Sequence, residues 1–238
     1  MSIQLSIILP CYNEAENLPP LLQAYRDVWE DLPAELILVD NGSGDNTAEV
    51  LAQELQRPEF AFAHCARVEQ NRGYGHGLLI GLRLARGEFL AFSHADMQCN
   101  PADVFAAYHK LVSQPDPARA LVKGKRGQRG FSASLITNGM ALIASTVLMT
   151  RLSDINAQPK VFHRSHMGLL ARAPAGFQFD LYLLYQARRA GLEILTVPVA
   201  FGERVHGVSK SAANIFSRYR TIRAMIAYIF SLRFGAPR

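Results

Sequence analysis

His94, Asp96 and Gln98 stand at alternate positions just after an apolar run, in the segment SHADMQ. An extended chain there aims all three to one side, because side chains alternate with a period of two. A carboxylate and an amide oxygen are hard donors of the kind Mg2+ or Mn2+ accepts, and such ions complete their shell with phosphate oxygens and water. Asp96 and Gln98 are therefore the candidate metal ligands. Three roles are open to His94: a further ligand, a hydrogen bond to a ribose or phosphate, or a bond to backbone. Asp40 ends another apolar run. Either aspartate taken alone is equally well explained as the polarity of a strand end.

The elements that must position these residues can be read in order. Residues 5–9 (LSIIL) are a buried strand that Pro10 is expected to stop. Asn13 is placed to cap a helix reaching about residue 31, with early acids suited to the helix dipole. Residues 35–39 (ELILV) make a second strand, which delivers Asp40 into a glycine-containing turn before a helix near 47–56. A strand at 60–68, a helix at 77–85, a strand at 88–93 and a helix from Pro101 to about residue 112 continue the alternation. This order predicts an α/β fold: a parallel sheet, helices on both faces, ligands at the carboxyl ends of the strands.

The turn QPDP at 114–117 is the candidate internal boundary. After it come a short strand at 120–122, a basic loop KGKRGQRG at 123–130, an apolar helix at 134–149 and a short strand at 161–163. A helix at 179–190 is ended by Gly191, and Pro198 places a strand at 193–199 on a sheet edge.

The net charge of +5 conceals two unlike halves. Residues 1–118 carry 7 Lys/Arg against 16 Asp/Glu, a net −9; residues 119–238 carry 18 against 4, a net +14. A basic half suits a phosphorylated substrate, an anionic membrane surface or nucleic acid, and composition does not choose among them. Three cysteines without close spacing read as reduced thiols in the cytoplasm, and no signal peptide is expected. From Arg204 onward there are 7 Lys/Arg and no acid, with Ile215, Tyr219, Ile222, Ile226 and Ile229 at helical spacing. That pattern fits a helix lying on a membrane surface, or one packed on the domain. Interrupted by Arg223, the apolar run is too short to span a bilayer.

Several chemistries are excluded by motif. GYGHG departs from the dinucleotide fingerprint at Leu78, and the basic loop lacks the Lys-Ser/Thr pair of a phosphate-binding P-loop. There is no G-x-S-x-G elbow, HExxH or CxxC.

Five segments in order carry a resemblance: SIILPCYNEAENL, LILVDNGSGDNT, NRGYG, HADMQCNP and RVHGVSK. Together they are similar to family 2 glycosyltransferases with the GT-A (Rossmann-like) fold, over roughly residues 3–212. The last resembles the R-x-x-G-x-S-K signature of the dolichyl-phosphate mannose synthase and polyprenyl-phosphate glycosyltransferase branch. The resemblance implies that Pro10, Tyr12, Glu14 and Gly73 border the nucleotide of a sugar donor and that Asp40 recognises the base. It implies Asp96 and Gln98 on a Mg2+ or Mn2+ ion at the diphosphate with His94 beside them, and Arg204, Ser209 and Lys210 closing over phosphate groups. Asp96, Arg204 and Lys210 are the expected catalytic residues, since cations stabilise the charge growing on the leaving group. The sequence departs from the family where His94 replaces an aspartate and where Asn41 replaces a second acid.

A polyprenyl phosphate acceptor is already an anionic nucleophile and needs cations more than a base; Lys123, Lys125, Arg126 and Arg129 supply them. The expected organisation is a GT-A domain over 1–212, divided into a nucleotide-sugar half (1–118) and an acceptor half (119–212), with an interfacial helix at 213–238. The expected protein is an inverting hexosyltransferase, cytoplasmic and peripheral on the inner face of an anionic membrane, with no nucleic-acid partner. A soluble or saccharide acceptor is the alternative, with Asp154 or Asp180 as base. A catalytically weak nucleotide-sugar or lipid-surface binding protein is a third reading.

Overall fold

The strand Leu5–Cys11 (β1) lies inside the sheet, and all its residues but Pro10 are buried. This computed structural model describes residues 2–127, 131–200, 202 and 215–235, without side chains for 131–136 and 215–218. The expected site residues Arg129, Arg204, Ser209 and Lys210 lie outside the described residues.

The remaining strands are Ala34–Asn41 (β2), Ala63–Val68 (β3), Phe89–Phe92 (β4), Ala120–Arg126 (β5), Lys160–His163 (β6) and Glu193–Val199 (β7). They form one sheet in the order β3-β2-β1-β4-β6-β5-β7. Only β6 runs against its neighbours, antiparallel to both β4 and β5, so the sheet is mostly parallel, as expected. The helices are Leu18–Asp27 (α1), Thr47–Glu54 (α2), Tyr74–Leu84 (α3), Ala102–Val112 (α4), Phe131–Val147 (α5), Phe179–Arg189 (α6) and Ile215–Phe234 (α7).

Alternation along β1 feeds two cores. Ile8 faces a cluster with Leu78 of α3, Leu184 of α6 and Ile229 of α7, while Ile7 and Leu9 face one with Leu21 of α1 and Phe105 of α4. Apolar runs buried on both faces explain why β1 and β2 lack a polar stripe.

Several boundaries differ from expectation for physical reasons. β1 continues through Pro10, because its ladder to β4 has ended at Ile8–Phe92 while that to β2 runs on to Cys11–Asp40. A missing N–H is tolerated where a strand has become an edge. The basic loop is half strand: β5 extends to Arg126, paired with β7 up to Arg126–Val199. Pro198 does lie on the edge strand. α7 docks on the domain through Met225 and Ile229, 5% and 0% exposed, whereas Tyr219 of the expected apolar stripe is 66% exposed.

The glycines at the start of α3, Gly73 just before it and Gly75 in its first turn, serve close packing. A Cβ on Gly75 would stand 2.3 Å from the Pro174 carbonyl oxygen, and one on Gly73, at φ 114°, would stand 2.5 Å from that of Ala175. Both neighbours are backbone and cannot swing aside. Gly75→Ala should lose about 1–3 kcal/mol of stability in urea titration; an unchanged midpoint would show that residues 174–176 yield freely.

Candidate active site

The carboxyl ends of β1, β2 and β4 converge, and the loops that follow are stitched together. Asn13, at φ 55°, donates its backbone N–H to Ser43 Oγ (3.0 Å), and its Oδ1 accepts from Gly44 N (2.9 Å). Glu14 N donates to Thr47 Oγ1 at 3.0 Å. Asn13 is thus a clasp between two loops rather than the expected helix cap; α1 begins only at Leu18. Tyr12 and Glu14 lie on one clasped loop and Asp40 at the root of the other. Pro10 and Tyr12 are half-buried.

Asp40 is 1% exposed. Its Oδ1 accepts from Ser43 N at 3.0 Å, while Oδ2 has no hydrogen-bond partner among the described residues and lies 3.5 Å from Arg67 Nε. A buried acceptor with an open lone pair fits a ring N–H donor such as that of a nucleobase. Arg67 escaped the sequence reading, although its register opposite Asp40 is a consequence of β2–β3 pairing. Asn41 Nδ2 donates to the Gly73 carbonyl at 2.9 Å, so the family's missing acid is here an amide that fastens β2 to the glycine loop.

The period-two argument for His94, Asp96 and Gln98 fails, because β4 ends at Phe92 and Met97 adopts φ 60°. A turn holds them instead. Asp96, 6% exposed, accepts from Gln98 N at 3.2 Å through Oδ1. Gln98 donates its side-chain Nε2 to the Gly202 carbonyl (3.2 Å), and its backbone carbonyl accepts from Gly202 N (3.0 Å), which ties the turn to the segment after β7. The His94 ring lies 5.6 Å from that of Tyr74. By donor chemistry the Asp96 carboxylate and the Gln98 amide oxygen, two residues apart on this turn, are of the hard kind a divalent cation takes. Among the described residues there is no cluster of three His, Cys, Asp or Glu that could hold a metal alone.

The expected acceptor cations do not form one basic loop. Lys125 is exposed, and Lys123, only 2% exposed, donates to the carbonyls of Gly124 and Asp154, each at 3.0 Å. Arg126 is paired with Asp154: its backbone N meets Oδ2 and its Nε meets Oδ1, both at 2.7 Å, and its Nη2 closes on Oδ1 as well. Burial raises the Asp154 carboxyl, but the Arg126 hydrogen bonds outweigh it and leave the group below its usual range. Lys160 sits opposite Lys123 across β5–β6 and pairs with Asp180; the two side chains are 0% and 1% exposed. Gln158 Nε2 links Asp180 Oδ1 (3.1 Å) to Tyr74 Oη (3.0 Å). Sequence reasoning missed Lys160, Gln158 and Tyr74, whose only signal is polarity inside apolar surroundings.

Beside Arg126 opens a cavity of about 160 Å3 between α5 and α7. Met140, Ile155, Phe177, Ile222 and Met225 make it mainly apolar, and Arg126 with Asn156 gives it a polar end.

The model of the family described as Glycosyl transferase family 2 matches residues 6–149, more than half of the sequence. The chain belongs to this family. As a family 2 member it spans 62% of the length of the curated relatives it matches. One is the undecaprenyl-phosphate 4-deoxy-4-formamido-L-arabinose transferase of Photorhabdus laumondii, 30% identical over 216 residues and 87% of this chain. The protein so named in Edwardsiella ictaluri is 29% identical over 214 residues and 86% of the chain. Among solved structures, glucosyl-3-phosphoglycerate synthase from Mycobacterium tuberculosis with Mn2+, UDP and glucosyl-3-phosphoglycerate superimposes with a TM-score of 0.74. That likeness, at 21% identity over 99% of this chain and 81% of the other, supports the GT-A architecture.

The family match ends before the Asp154–Lys160 segment, so the buried lysines call for their own test. Burial, then the neighbouring Lys160, pushes the Lys123 ammonium from an ordinary 10.5 down to about 8. Between those values the unfolded chain holds a proton that the folded one has released, so stability should rise with pH. Burial lowers Lys160 too, which adds the same sign. The thiols of Cys11, Cys65 and Cys99, which burial raises, act with the opposite sign in the same window, so between about pH 8 and about pH 10 it is the difference that reports Lys123: the urea midpoint of the wild type should gain on that of Lys123→Met. Equal slopes would mean that Lys123 stays protonated throughout.

Proposed function

We propose that this family 2 protein transfers a hexose, with inversion, from a nucleotide diphosphate sugar to a polyprenyl phosphate. The observation that carries the reading is that, among the described residues, the two acids beside the acceptor cations are each held by a cation. Asp154 is held by Arg126 and Asp180 by Lys160, so the two carboxylates expected to serve a saccharide acceptor are poorly suited to take a proton. An acceptor that brings its own negative oxygen needs no base. The cavity beside Arg126 supports the same reading, since its apolar walls suit a prenyl chain and its guanidinium a phosphate. The curated relatives' names, which specify undecaprenyl phosphate, agree with it.

In this scheme residues 1–118 bind the donor. Asp40 takes a base N–H, Pro10, Tyr12, Glu14 and Gly73 border the nucleotide, and His94 stands beside the sugar diphosphate. Asp96 and Gln98 would hold Mg2+ or Mn2+, which when bound offsets negative charge on the diphosphate. A phosphate oxygen of the acceptor, oriented by Arg126, attacks the anomeric carbon from the face opposite the diphosphate. The sugar–diphosphate bond breaks, and the nucleoside diphosphate leaves with the electron pair. Arg204, Ser209 and Lys210 complete the phosphate contacts, and Lys125 and Arg129 add positive potential at the acceptor entrance.

Residues 213–238 and α5 bring the protein to the lipid. Of the eight large exposed apolar side chains among the described residues, Leu142, Ile143, Met149, Tyr219, Phe230 and Phe234 belong to α5, its end or α7. Arg220, Arg223 and Arg233 are exposed on α7, and an apolar surface ringed by arginines suits anionic lipid. Among the described residues no helix is long and apolar enough to cross a membrane. A peripheral position on the cytoplasmic face follows from this reading.

Purified protein should form product from a UDP- or GDP-hexose only with polyprenyl phosphate and only with Mg2+ or Mn2+. Asp96→Ala should cut kcat on the order of 10²–10³-fold, the loss expected when one leaving-group contact disappears. Equal turnover without lipid phosphate would replace this reading by a soluble acceptor. Donor binding without any turnover would leave only a binding protein. On vesicles containing phosphatidylglycerol, wild-type protein should co-sediment and the Phe230→Glu/Phe234→Glu variant should stay in solution; equal sedimentation would remove α7 from the membrane face.

A further inference from the structure

Lys123 and Lys160 face each other across β5–β6, at 2% and 0% exposure. Packing alone does not ask for this. Burying two like charges side by side is costly, and an apolar residue of similar length would fill the space of Lys123 without that penalty. What the ammonium does instead is hold a turn. Its Nζ binds the Asp154 carbonyl at 3.0 Å, and Asp154 has φ 43°, a left-handed conformation that side-chain-bearing residues rarely adopt. Asp154 is thus gripped at both ends, by Lys123 on its carbonyl and by Arg126 on its carboxylate. Arg126, fixed in this way, lines the cavity between α5 and α7.

We propose that Lys123 is a positioning residue for the acceptor phosphate, acting through Asp154 on Arg126, and that its charge makes acceptor binding weaken in alkaline solution. The inference rests on the acceptor reading given above.

Charge balance supports it. The groups that face Lys123 are Lys160 on β6, Arg126 on its own strand, Asp154 on the turn before β6 and Asp180 on α6. With Lys123 protonated, three cations stand against two carboxylates, one positive charge in excess; with Lys123 neutral the cluster balances. An anion beside Arg126 is therefore favoured only while Lys123 carries its proton. Burial and the neighbouring Lys160 bring that proton's release to about pH 8. By linkage the same coupling runs backwards, so a bound phosphate should make Lys123 take up a proton.

The test varies polyprenyl phosphate at saturating donor between about pH 7 and about pH 9.5, a window in which a phosphate monoester, with its second ionisation near 6, is already dianionic. In the wild type the acceptor KM should rise on the order of tenfold across this window, as expected for losing one charge of a buried cluster that reaches the acceptor through Arg126, on the order of 10 Å away at an effective dielectric of about 20. Donor KM and kcat should move much less. Lys123→Arg, which stays charged, should abolish the rise, and Lys123→Met should show the high KM at every pH. A rise that persists in Lys123→Arg, or a wild-type KM at neutral pH in Lys123→Met, overturns the inference while leaving the acceptor reading intact. A wild type that makes no prenyl product overturns both. If either variant fails to fold, calorimetry on the wild type decides. Titration with a short-chain prenyl phosphate near pH 8.5, in two buffers of different ionisation enthalpy, should reveal proton uptake; none would overturn the proposal.

Discussion

The buried ion pair between Lys160 and Asp180 stands at the junction of the two halves of this protein and fixes the groups that join them. Lys160 stands on β6, the strand that runs antiparallel between β4 of the acidic half and β5 of the basic half. Its ammonium reaches Asp180 on α6 and the Ala157 carbonyl, and Asp180 in turn receives Gln158, which also reaches Tyr74 at the start of α3. Removing one partner of such a pair leaves an uncompensated charge in the core, a loss of about 3–5 kcal/mol. The pair is therefore less a source of net stability than a device that permits one arrangement of β6, α3 and α6.

From that arrangement the electrostatics follow. The loops after β1 and β2 are clasped by Asn13, and the turn after β4 is tied through Gln98 to Gly202, so the acidic and amide oxygens gather at one end of the sheet. On the other side of β6, the two buried or half-buried acids are each spent on a cation: Asp154 on Arg126, Asp180 on Lys160. On the proposed function, one end of the sheet takes the cation and the nucleotide N–H groups, and the cavity beside Arg126 an anion with an apolar tail. The opposed charges of the two halves become adjacent compartments.

How much of this was legible in sequence varied with the length of the interactions involved. β1, β2 and β4 were readable because strands buried on both faces are continuous apolar runs, and Asp40 and Asp96 were readable as the first acids after them. Pro198 marked the edge strand because an edge tolerates a missing N–H. The basic segment misled. Its charges suggested one basic loop presenting four cations to the acceptor, yet β7 pairs along β5 as far as Arg126 and draws Lys123 into the core. No local pattern announces that, because the partners of Lys123 are a carbonyl 31 positions away and a lysine on another strand.

The sequence by itself determined the order of strands and helices, the two aspartates at strand ends, the charge division and the family, since all of these depend on neighbours along the chain or on motifs read in series. Tertiary structure decided what the polar residues do. It made Asn13 a clasp instead of a cap, put His94, Asp96 and Gln98 on a turn instead of a strand, and turned three of four expected acceptor cations into one buried lysine, one paired arginine and one exposed lysine. The physical reason is that a charge or a hydrogen-bonding group takes its meaning from the few ångströms around it, and those neighbours come from strands that only sheet pairing brings together.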